Sequence, residues 1–186
     1  AKPRRFGNRV ITTDCEHPSV EEAMKKLEAD GLEVVRIPTK NGVLDTEAAI
    51  AALEVPTLLV SMMMVNNETG AVMPVSQMAK LTHKLCPNAI FHTDAVQGFL
   101  KVPFQAKSLG ADLISISSHK VHGPKGVGAL YISPALKSFP PLLLGGGQEG
   151  NLRSGTEGTP AIFGFAAACA AGAASFKADV KKEREL

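Results

Sequence analysis

Short apolar runs alternate with helix-period runs along this chain, and that alternation constrains the fold more than any other feature. RVITT (9–13), LEVVRIP (32–38), AIFHTD (89–94), DLISIS (112–117) and GALYI (128–132) read as strands. TLLVSMMMV (57–65) is a nearly unbroken apolar run, the pattern of a strand buried on both faces. Between them, Val20, Ala23, Met24 and Leu27 fall at helical spacing, with Gly31 as a stop. DTEAAIAAL (45–53) predicts a short helix capped by Asp45, and PVSQMAKLTHKL (74–85) one with Pro74 near its first turn. Strands alternating with helices predict an α/β fold: three α/β/α layers around a mostly parallel sheet.

Bulk properties narrow the class. A chain of 186 residues with an apolar fraction of 45% can bury a sizeable core. A net charge of +2 without a basic stripe gives no footprint for nucleic acid or an acidic membrane. Three scattered cysteines, Cys15, Cys86 and Cys169, form neither a disulfide framework nor a CxxC metal pattern. A reducing, cytoplasmic setting follows as the default. The basic start AKPRRFGNRV has no apolar region behind it and does not read as a signal peptide. The Ala/Gly-rich stretch Ala161–Ala174 is too short to span a bilayer and predicts a closely packed buried helix.

In an open parallel sheet, ligands bind outside the carboxyl ends of the strands. Four predicted strands end in chemistry-bearing residues. RVITT runs out to His17, and TLLVSMMMV into Asn66, Asn67 and Glu68. AIFHTD ends at Asp94, three residues before Gln97, and DLISIS runs into Ser117, Ser118, His119 and Lys120. A lysine near a carboxylate, with hydroxyls and imidazoles for an anion, suits pyridoxal phosphate. The amine bonds to the aldehyde, the carboxylate keeps the ring nitrogen protonated, and the hydroxyls bind phosphate. GPKGVG (123–128) lacks the GK[ST] ending of a phosphate-binding P-loop, and no GxGxxG opens a helix after a first strand.

Glu16-His17, VNNETG (65–70), HTDAVQ (92–97), SSHKVHGPKGVGALY (117–131) and GGGQEGNLRSGTEGTP (145–160) together resemble the cysteine desulfurases, the NifS-like branch of the class V, fold-type I pyridoxal phosphate enzymes. The resemblance implies that residues 1–186 are the central part of the large, cofactor-binding domain. It places a Gly/Thr-rich phosphate loop upstream of the first strand. It places the nucleophilic cysteine and the arginine for the substrate carboxylate in a smaller C-terminal domain beyond Leu186. No cysteine of this chain matches the catalytic one, although Cys15 lies close to His17 in sequence.

The resemblance also assigns roles. Lys120 is the cofactor-bound lysine and moves the Cα proton; its rival Lys125 lies in the following turn. Asp94 partners the ring nitrogen and Gln97 the phenolic oxygen. His17 stacks on the ring and assists proton transfer, and Pro18 favours an extended backbone there. Asn67 contacts the cofactor, whereas Asn66 and Glu68 shape the loop. Ser117 and His119 bind phosphate; His119 equally fits a satisfied buried histidine. Thr156 reaches the phosphate of a partner subunit, implying a homodimer, and also fits a helix N-cap region. The implied reaction converts L-cysteine to L-alanine and an enzyme persulfide, with the sulfur passing to an acceptor such as an iron–sulfur scaffold protein. Selenocysteine lyase, another class V enzyme, or a non-catalytic α/β assembly module are the alternatives. Neither metal, nucleic acid nor membrane is expected at the site.

Overall fold

A computed structural model describes residues 7–136, 138–141 and 143–185. Residues 1–6, 137, 142 and 186, including most of the basic start, lie outside them. The sheet has six strands: β1 (Arg9–Thr13), β2 (Glu33–Ile37), β5 (Thr57–Ser61), β6 (Ile90–Asp94), β7 (Leu113–Ser117) and β8 (Gly128–Ile132). Their spatial order is β2-β1-β5-β6-β7-β8. Every pairing is parallel except that of β8 with β7. A short hairpin, β3 (Thr39–Lys40) with β4 (Val43–Leu44), lies apart from the sheet. The expected α/β architecture is therefore present.

The helices are α1 (Pro18–Ala29), α2 (Thr46–Leu53), α3 (Val75–Leu85), α4 (Ala106–Leu109) and α5 (Thr159–Glu185). Asp45 caps α2 as predicted, its side chain accepting from the Ala48 N–H at 2.9 Å. Ile11, Val60, Phe91 and Ile114 of the sheet form one apolar cluster with Leu53 of α2 and Met78 of α3. The apolar run at 57–65 outlasts its strand: β5 ends at Ser61, but Met62 and Met64 stay buried and donate backbone N–H groups to His92 and Asp94. Cys86 closes α3 as a buried thiol donating to the Leu53 carbonyl at 3.2 Å.

Helix α5 corrects two expectations. It is longer than the apolar stretch suggested, and Thr159–Phe176 alone has the length and apolarity to cross a membrane. It is also mostly uncovered among the described residues: Phe165 is buried, whereas Phe163 is 75% exposed and Cys169 only part-buried. Alanine on every side of a helix raises hydropathy without marking which face is covered. Where it is covered it packs closely on the protein: a Cβ at Gly164 would lie 2.6 Å from Pro124, and one at Gly172 2.8 Å from Leu100.

The link from β7 to β8 must reverse the chain within a few residues. Ser118–Val121 forms a single 3-10 turn, and His122 and Gly126 adopt left-handed φ values of 66° and 80°. Gly123 has a different constraint, since a Cβ there would lie 2.1 Å from Ser118 Oγ, itself buried without a hydrogen bond. Gly123→Ala is expected to cost about 1–3 kcal/mol by overpacking. Ser118→Ala should restore part of that loss, because it removes the clashing and unsatisfied hydroxyl. Thermal melts of the two single variants and the double variant check this.

Candidate active site

Parallel strands bring their carboxyl ends to one edge, and the chemistry-bearing residues follow from that. A cleft of about 300 Å³ opens there. His17, Asn67, Asp94, Gln97, Ser117, His119 and Lys120 all line it, together with Ser19, Met63, Val65 and Val96. A larger depression, about 1150 Å³, runs between the 3-10 turn and α5 and shares only Lys120 with this group. The cleft holds the carboxylate, amine, amides and imidazoles together, so it is the better candidate for chemistry.

Each side chain has a local cause. His17 is extended, with φ −61° and ψ 146°, as the following proline favours. It also caps α1: Nδ1 accepts from the Ser19 N–H at 3.2 Å and meets Ser19 Oγ at 2.7 Å. A neutral ring held this way carries its proton on Nε2. Asp94 ends β6, and its Oδ1 accepts from the Val96 N–H at 2.9 Å. No ion pair to Asp94 occurs among the described residues. Lys120 sits half-buried in the 3-10 turn after β7. Ser117 Oγ and His119 Nδ1 are 2.8 Å apart, pairing a hydroxyl with an imidazole beside it.

Asn66 shapes its loop, as expected. It is buried, its Oδ1 accepts from Glu68 N, Thr69 N and Thr69 Oγ1, and its Nδ2 donates to the Cys15 carbonyl at 2.9 Å. Asn67 is left exposed at the mouth of the cleft. Gln97 accepts from Lys101 Nζ at 3.3 Å on the helical turn behind it. Thr156 stands apart: it is exposed before α5 and does not line the cleft. It does not begin that helix either, which starts at Thr159.

The family follows from comparison with known proteins. Residues 2–186 match the family described as aminotransferase class-V. The chain belongs to that family. This aminotransferase class-V chain is 41% identical over 177 residues to a cysteine desulfurase IscS of Rickettsia rickettsii, covering 94% of its own length and 42% of the relative's. It is 44% identical over 161 residues to the IscS of Rickettsia typhi, covering 85% and 38%. Among solved structures it resembles a NifS-like protein with a TM-score of 0.89 at 39% identity, covering 94% of this chain and 48% of that one. It also resembles SspA in complex with cysteine, with a TM-score of 0.81 at 37% identity, covering 88% and 47%. The class-V chain thus spans about two fifths of the length of the curated relatives it matches.

One residue next to the cleft, bonded to the backbone of its lining residue Met63, had no role assigned from sequence. Glu16 is anchored by one oxygen: Oε1 accepts from Thr13 Oγ1 at 2.7 Å and from the Met63 N–H at 2.8 Å. This joins the ends of β1 and β5. Its Oε2 is buried without a partner. Burial raises its pKa from 4.5 to about 7, against the two hydrogen bonds; the charges of Asp94 and Glu21 push the same way as burial.

A carboxyl raised on folding binds its proton more tightly in the native state. Stability is therefore lost as pH rises from about 4.5 through about 7. Fully expressed, that loss is on the order of 3 kcal/mol. Glu16→Gln keeps the accepting oxygen and cannot ionise. Its melting temperature is expected to fall less than that of the unchanged protein across this window, as melts at stepped pH would show.

Proposed function

We propose that this chain is the cofactor-binding part of a cysteine desulfurase that uses pyridoxal 5′-phosphate and acts on L-cysteine. The observation that supports this most is the cleft, where Lys120 and Asp94, neither with an ion-pair partner among the described residues, share one small volume. The donor set fits the cofactor: an amine for an aldehyde, a carboxylate for a ring N–H, amides for a phenolic oxygen, and a hydroxyl with an imidazole for phosphate. When bound, pyridoxal phosphate supplies an electron sink that acidifies the Cα–H of an attached amino acid.

The chain's own residues do the rest. Lys120 holds the aldehyde in the resting enzyme, and its Nζ takes and returns the proton at the substrate Cα. Asp94 accepts a hydrogen bond from the ring nitrogen and favours its protonated form. Gln97 and Asn67 orient the phenolic edge. His17 offers a flat face and an Nε2–H, its tautomer set by the Ser19 backbone. Ser117 and His119 take the phosphate. Met63, Val65 and Val96 wall the cleft with apolar surface and thin the water around Lys120. In this reading Thr156, which is exposed and outside the cleft, completes the site of a second copy in a homodimer.

The substrate sulfur would pass as a persulfide on a cysteine thiol to an acceptor, an iron–sulfur scaffold protein being the class we favour. The thiols of Cys15, Cys86 and Cys169 are all free, which accords with a reducing cytoplasm. The test uses the full-length protein loaded with pyridoxal phosphate and given L-cysteine and a reductant. Alanine and sulfide in equal amounts are expected. Cofactor uptake without alanine would point to another class V activity, and a protein that takes up no cofactor would be an assembly module.

A further inference from the structure

Side chains two apart on a strand point the same way, so His92 and Asp94 of β6 share a face, about 6.6 Å apart along the chain. His92 uses both ring nitrogens there. Nδ1 meets Ser61 Oγ at 2.8 Å and Nε2 meets Ser115 Oγ at 2.9 Å. Ser61 is the register partner of His92 on β5, and Ser115 is that of Asp94 on β7. The side-chain bridge therefore ties three adjacent strands together one pleat step behind the carboxylate. Backbone bonds from Met64 N to the Asp94 carbonyl and from Ala95 N to the Ser115 carbonyl flank it. Neither His92 nor the two serines line the cleft.

We propose that His92 is a positioning residue that acts through Asp94, the Ser61–His92–Ser115 bridge fixing where the carboxylate stands over the cleft without supplying it with a partner. This rests on the reading of Asp94 as the partner of the cofactor's ring nitrogen. A hydroxyl both donates and accepts, so two serines satisfy a neutral imidazole with one N–H and one bare nitrogen. Burial holds the ring below the ordinary histidine range, against the pull of the Asp94 charge. The other titratable groups around Asp94 are Lys120, His17 and His119, which line the cleft with it, and Glu16, whose proton the Asp94 charge helps to hold. A charged His92 would pair with Asp94 and compete for the charge that the ligand nitrogen needs. A neutral His92 braces the strand and leaves that charge to the ligand.

The test uses the full-length protein and two ligands: pyridoxal phosphate and its 1-deaza analogue, in which a C–H replaces the ring nitrogen. His92→Leu is expected to weaken pyridoxal phosphate about tenfold and the analogue less than about twofold, the scale of one lost hydrogen-bonded support. His92→Gln, which keeps a donor and an acceptor, should recover most of the loss. In an Asp94→Asn background the His92 effect should vanish. If His92→Leu does not fold, Ser115→Ala gives the same comparison with a single atom removed. Imidazole nitrogen NMR of the cofactor-free protein should show His92 losing its proton below the ordinary histidine midpoint. Equal weakening of both ligands would make His92 merely structural and overturn the inference, as would no weakening or a charged His92. An unchanged protein that binds neither ligand would overturn the functional reading itself, and this inference with it.

Discussion

Lys120→Ala is expected to leave a folded protein that borohydride no longer fixes to pyridoxal phosphate, and to lower kcat/KM by on the order of 10³-fold or more. The expectation rests on where the amine is. Lys120 follows β7 by three residues, in a 3-10 turn whose backbone is fixed by the left-handed His122 and by the close approach of Gly123 to Ser118. The side chain is half-buried in the cleft and has no acidic partner among the described residues. A lysine made for stability would be paired or solvated. Lys125 is the control: it is exposed, outside the cleft and five residues on, so Lys125→Ala should change neither cofactor fixation nor rate. Absorbance after borohydride, mass spectrometry of the fixed lysine and steady-state rates decide the matter. Full activity in Lys120→Ala would remove the functional reading.

Asp94→Asn should be the second most damaging change, lowering kcat/KM by on the order of 10²-fold while leaving the melting temperature nearly unchanged. The amide keeps the shape and can still accept from the Val96 N–H. It loses the negative charge that favours a protonated ring nitrogen, an effect of about 1–3 pKa units for a close pair. The visible band of the bound cofactor should then titrate at lower pH than in the unchanged protein. A variant with the same band titration and the same rate would show that Asp94 serves only the turn it caps.

Much of the site was legible because its logic is one-dimensional. A strand ends where its apolar run meets polar residues, and parallel strands end at the same edge. That rule grouped His17, Asn67, Asp94, Gln97, Ser117, His119 and Lys120 with Asn66, Glu68 and Ser118; the resemblance picked out the first seven, and those seven line one cleft. The Pro18 effect on His17 and the Asp45 cap are equally local and equally legible. Thr156 behaved differently: it belongs to the same set of motifs but lies outside the cleft, since motif membership does not fix where a loop residue stands.

What resisted reading was whatever depends on neighbours remote in sequence. Glu16 was quoted with His17 among the motifs but without a task. It is anchored by the backbone N–H of Met63, 47 positions away just past the end of β5. His92 was quoted within HTDAVQ without a task; its partners Ser61 and Ser115 come from strands on either side. A period-two reading of β6 would have placed His92 on the Asp94 face, but not between two hydroxyls. The exposure of α5 was misjudged because an apolar helix records only that burial is favourable, and not which surface supplies it.

The order of residues by itself determined the strands, their helical connections and the set of groups delivered to the carboxyl edge, because period, turn chemistry and strand ends are local properties of the chain. Only the tertiary structure decided which groups meet, which are desolvated and which remain in water. Hydrogen-bond partners and burial are set by segments that are distant in sequence and adjacent only after the sheet has formed.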